Sequence, residues 1–151
     1  ALGEVDMTDV DTSMPLLPAG KYEVRIASLE VVESKSKPGN NNILVQLETT
    51  EPVQAHESER TLDAGWKLRI YLPLQNPDPN PNNFDFREGV ARLIDAVHGT
   101  NRDNRPKFDT TFAEYQNATV LANVSIREMK DDAGEGTGVY VNDVRGLAHL
   151  G

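Results

Sequence analysis

Apolar and polar positions alternate along five stretches of this chain, and one stretch between the third and the fourth shifts to a helical period. In residues 21–26, Tyr22, Val24 and Ile26 interleave with Lys21, Glu23 and Arg25, the two-residue period of a strand with one buried face. The alternation slips at Ala27 and Ser28 and resumes at Leu29 and Val31. A one-residue slip would turn the apolar face outward unless a bulge absorbed it, so this strand is predicted to bend there. Residues 43–48 set Ile43, Val45 and Leu47 against Leu44, Gln46 and Glu48, and residues 66–72 set Trp66, Leu68, Ile70 and Leu72 inward against Lys67, Arg69 and Tyr71 outward. Phe86, Val90, Leu93, Ile94 and Val97 then recur at helical spacing, with Asn83 or Asp85 as cap and Gly99 as stop. Alternation returns at Val120, Ala122, Val124 and Ile126. "VYVNDVRG" at 139–146 closes a hairpin across "KDDAGEGTG".

The breakers agree with this segmentation. "SKSKPGNNN" at 34–42 carries a proline, a glycine and three asparagines, and reads as the turn joining the first two strands. "QNPDPNPNN" at 75–83 can hold neither a ladder nor a helix and reads as a loop. Residues 1–19 show no period and end in "MPLLPA", so they are predicted to form an extended arm, with residues 20–151 as the folded domain. The order is three strands, a helix and two strands. That is the order of a mainly β, five-stranded OB-like Greek-key barrel with one helix between strands 3 and 4; sandwiches and other small barrels share it.

At 151 residues the chain matches one domain, and its lack of cysteine excludes disulfides, thiolate catalysis and cysteine-ligated metals. No apolar run approaches the roughly 20 residues that cross a bilayer, so no membrane partner is expected. The net charge of −9 argues against non-specific duplex binding by the whole surface. Four of those negatives, Glu4, Asp6, Asp9 and Asp11, lie in the arm with no base among them, which leaves the body less acidic and its basic residues able to form a local strip. His56, His98 and His149 are scattered, and no metal-ligand spacing, phosphate-cradling glycine loop or nucleophile turn occurs. Hence no enzyme, cofactor or metal is expected.

Two motifs carry a family resemblance over roughly residues 16–147. Pro18, Gly20 and Tyr22 lead into the first strand, and Lys35, Lys37, Gly39 and Asn40 form the following turn. Together with Arg92, Ala96 and Gly99 of "FREGVARLIDAVHG", they resemble a phage family of single-stranded DNA-binding proteins with an OB-fold. The resemblance implies a protein of phage replication, acting in the host cytoplasm on single-stranded DNA. The chain departs from that family's pattern in ending "DVRGLAHLG" rather than in an acidic tail.

Single-strand binders combine cations that follow the phosphates with aromatic faces on which bases stack. Lys67, Arg69 and Tyr71 have that make-up on the outward side of one strand, and Lys35 and Lys37 in the hairpin turn flank such a face in OB-like barrels. Arg25 on the first strand and Arg102, Arg105 and Lys107 are expected second-tier contacts. The same residues also suit an ordinary solvated sheet face. A different reading makes the chain a virion structural protein, a capsid decoration or cement protein. There the barrel is a scaffold and residues 1–19 join a homo-oligomer or capsid neighbours.

Overall fold

The computed structural model describes residues 3–4, 15–35, 39–74 and 87–150. The chain forms β1 (Gly20–Glu33), β2 (Asn41–Thr49), β3 (Val53–Gln54), β4 (Thr61–Leu62), β5 (Lys67–Pro73), α1 (Glu88–His98), β6 (Thr119–Lys130) and β7 (Gly136–Ala148). Five strands make one antiparallel sheet in the order β5-β2-β1-β6-β7, and β3 and β4 pair as a separate ribbon.

β1 is the hinge of the sheet. Its residues 24–33 pair with β2 and residues 20–25 pair with β6, and Ile26 also bonds the Asn117–Ala118 backbone that leads into β6, so Val24, Arg25 and Ile26 have partners on both sides. The register with β2 shifts between Ile26 and Ser28, where the sequence alternation slips. Because of that shift, Val24 and Ile26 before it and Leu29 after it all point into the core. Ile43, Val45 and Leu47 of β2, Leu68 and Leu72 of β5, and Val120, Ala122 and Val124 of β6 bury the same side of the sheet. Each of the valine, leucine and isoleucine side chains contributes about 1.5–3 kcal/mol when fully buried.

α1 covers this core with Val90, Leu93, Ile94 and Ala96. It stops at Gly99, whose φ of 68° is left-handed and whose N–H donates to the Asp95 carbonyl at 2.8 Å. The helix starts later than its apolar period predicts, after Arg87, without a side-chain cap bond. The expected caps Asn83 and Asp85, and Phe86, lie outside the described residues.

Two expectations are corrected. The edge strands β5 and β7 are not hydrogen-bonded to each other, so the sheet does not close into a barrel. A cleft lined by the first turns of α1 separates them. The helix follows β5 and precedes β6, not strands 3 and 4, because the β3–β4 ribbon intervenes. Its two-residue strands are too short to show alternation.

The described end of the N-terminal segment is built into the core. Leu17 is fully buried. The Asn142 side chain of β7 accepts from the Leu17 N–H and donates to the Leu17 carbonyl, both at 2.9 Å, imitating the two bonds of a strand partner. On the other side the His56 N–H donates to the Leu16 carbonyl at 2.7 Å.

Candidate nucleic-acid interface

The outward side chains of β5, β2 and β1 fall into cross-strand rows. Register aligns Lys67 with Glu48 and Arg25, then Arg69 with Gln46 and Ser28, then Tyr71 with Leu44 and Glu30. Directly opposed side chains in such rows touch, so each row acts as a unit.

In the first row Glu48 lies between two cations. Its Oε2 accepts from Arg25 Nη2 at 2.6 Å and its Oε1 lies 3.7 Å from Lys67 Nζ. The Arg25 hydrogen bond, supported by the charges of Arg25 and Lys67, holds the Glu48 carboxyl below its ordinary value. Arg25 also donates through Nη1 to Asn117 Oδ1 at 2.5 Å. It is therefore fixed and largely neutralised, whereas Lys67 keeps an exposed ammonium.

The second and third rows carry the accessible cation and aromatic. The Arg69 guanidinium stands 5.8 Å from the centre of the Tyr71 ring, which is 48% exposed. Cation–π contact pre-orders both groups and leaves the far side of the ring open. Beyond Tyr71 the strand reaches the hairpin turn between β1 and β2, where the Ser34 N–H donates to the Asn40 carbonyl and Lys35 is exposed. Lys37 lies outside the described residues. Lys67, Arg69 and Tyr71 thus follow one another along the β5 edge, with Arg25 set back behind Glu48 and Lys35 in the separate turn between β1 and β2. Arg102, Arg105 and Lys107 lie in the loop after α1, and Arg105 is committed to a fork with Asp95 through Nε at 3.0 Å and Nη2 at 2.7 Å.

Two arginines facing β5 across the seam were not expected as contacts from the sequence, where Arg92 entered only through the family resemblance and Arg145 not at all. Arg145 is the extra residue of a bulge in β7, where the register skips from Gly146 to Val144. Arg92 of α1 reaches toward Gly146 and is tied to Glu88. Both line the cleft that faces Tyr71, Leu72 and Pro73 across the open seam. The signals for the bulge were the Arg-Gly pair, since glycine in a strand often marks one, and the three-residue step between Val144 and Leu147 on the core side. Tyr140 was also passed over. Like Met129 and Val139, it is an exposed apolar side chain on the β6–β7 hairpin.

Among the described residues no helix is long and apolar enough to cross a membrane, and no cluster of three or more acidic or histidine side chains could hold a metal ion. No protein-family model and no curated protein matches the chain.

Proposed function

We propose that the protein binds single-stranded DNA, without sequence preference, along the outer face of β5. The observation that carries this reading is the exposed Tyr71 ring with Arg69 against it, on an edge strand that also presents Lys67, in a chain whose net charge is −9. Aromatic faces take any base and cations take phosphate, so this pairing of groups is sequence-tolerant by construction. The sheet order supports the reading, because β6 returning beside β1 gives the Greek-key order of an OB-like barrel opened between β5 and β7. The motifs at residues 18–22 and 35–40 point the same way, toward phage single-strand binders working in a host cytoplasm.

The test is fluorescence anisotropy of a labelled dT30 titrated with the protein at several salt concentrations. Affinity is expected to fall linearly with salt on a log–log scale. A Lys67→Ala, Arg69→Ala double variant is expected to flatten the slope by about 1.4, two phosphate contacts at about 0.7 each. No binding at low salt would reject the proposal.

The second reading, a virion assembly protein, draws on the exposed apolar side chains Met129, Val139 and Tyr140 of the β6–β7 hairpin. It expects no dT30 binding and concentration-dependent self-association in sedimentation velocity that a Tyr140→Ser variant reduces.

A further inference from the structure

The seam between β5 and β7 has features that a simple stacking face does not need. It is a cleft of about 460 Å³, within the roughly 300–1,000 Å³ of small-ligand sites. Ile70, Leu72 and Leu147 give it apolar walls, and Tyr71 stands at its mouth. Gly89 and Gly146 line it without side chains; a Cβ on Gly89 would come within 2.8 Å of Leu72. At the rim Arg145 has no hydrogen bond or ion pair among the described residues, and Arg92 is shared only with Glu88.

Resting on the reading above, we infer that this cleft takes one whole nucleotide out of the bound strand. The base enters between the apolar walls and its phosphate is held by Arg145 and Arg92. The chemistry matches in each part. A nucleobase is flat and largely apolar on its faces, and a phosphate accepts two parallel N–H bonds from a guanidinium. Glu88 is the single carboxylate in the lining, and it competes with the phosphate for Arg92. The β5 face would then carry the strand, and the cleft would anchor it at one position.

The two levels separate in one experiment. Backbone amide NMR spectra are followed while ¹⁵N-labelled protein is titrated with thymidine 5′-monophosphate, and separately with dT30. The expected result is saturable shifts at Gly89, Gly146 and Leu147 with both probes, and additional shifts at Lys67, Arg69 and Tyr71 with dT30. Arg145→Ala is expected to weaken monophosphate binding about tenfold, the scale of one charged hydrogen-bonded contact. Glu88→Gln is expected to strengthen it by freeing Arg92, an effect a purely structural helix residue would not produce. If dT30 shifts the β5 face but leaves Gly89, Gly146 and Leu147 unmoved, the cleft inference falls and strand binding stands. Cleft shifts with the monophosphate but no response to dT30 would keep the nucleotide site and reject the strand reading. Silence with both probes overturns the two together.

Discussion

Glu48 shows how one side chain can set the strength of a binding face. It neutralises Arg25 and partly neutralises Lys67, holding both in the first cross-strand row. Replacing it by glutamine is expected to tighten dT30 binding and to steepen the salt slope by about 0.7, one added phosphate contact. The same residue links stability to pH. Its carboxyl titrates below the ordinary value of 4.5 in the folded chain, so its pairing stabilises the fold above that range. The contribution disappears as pH falls through the lower folded value, and urea melts of Glu48→Gln are expected to lose less stability on acidification than the parent protein. Tyr115 is a second informative residue. It is fully buried against Phe108 and His98, and its hydroxyl has no hydrogen-bond partner among the described residues. Tyr115→Phe removes an unmet polar group and keeps the ring, so it is expected to raise stability by about 1 kcal/mol, read as a higher urea midpoint with an unchanged m-value.

At the scale of elements, the Leu17 segment depends on one side chain of β7. Asn142→Ala removes both bonds to the Leu17 backbone and leaves its N–H unmet, at a cost of about 1–3 kcal/mol. Amide exchange at Leu17 is expected to accelerate more than exchange in β2, which keeps its ladder. The elements also show what a linear pattern can reveal. The slip at Ala27 and Ser28 was readable because a bulge must keep apolar residues on the core side, and the observed shift falls there. The outward trio of Lys67, Arg69 and Tyr71 was readable for the same reason of period. The β3–β4 ribbon was not, since two residues cannot alternate. Arg145 was not readable in the same way, because its slip shows only in the step from Val144 to Leu147, and the alternating stretch was taken to end at Gly146. The pairing of Glu48 with both Arg25 and Lys67 depends on which residues of three strands share a row, and that is a property of register.

For the whole molecule, distribution of charge decides more than its total. An overall charge of −9 repels polyanions at long range, yet Lys67, Arg69, Arg92 and Arg145 border a single edge and its seam. Association with DNA is therefore expected to be slow at very low salt relative to a basic protein of this size and to become less so as salt screens the global repulsion, measurable by stopped-flow anisotropy. The open seam also explains why the order of strands alone could not foretell the shape. A barrel and an open sheet share this order and differ only in whether β5 and β7 meet.

The divided pairing of β1 has a consequence for how the chain is made. Its later half finds β2 almost at once during synthesis, but its first residues need β6. Roughly 90 residues separate the two, about 5–20 s of translation at 5–20 residues per second. Throughout that interval the nascent protein carries an unpaired strand edge beside a partly covered apolar surface. The ribosome-bound chain is thus most exposed to mispairing before β6 emerges, and synonymous codons that hasten the stretch between β5 and β6 are expected to raise its folded yield.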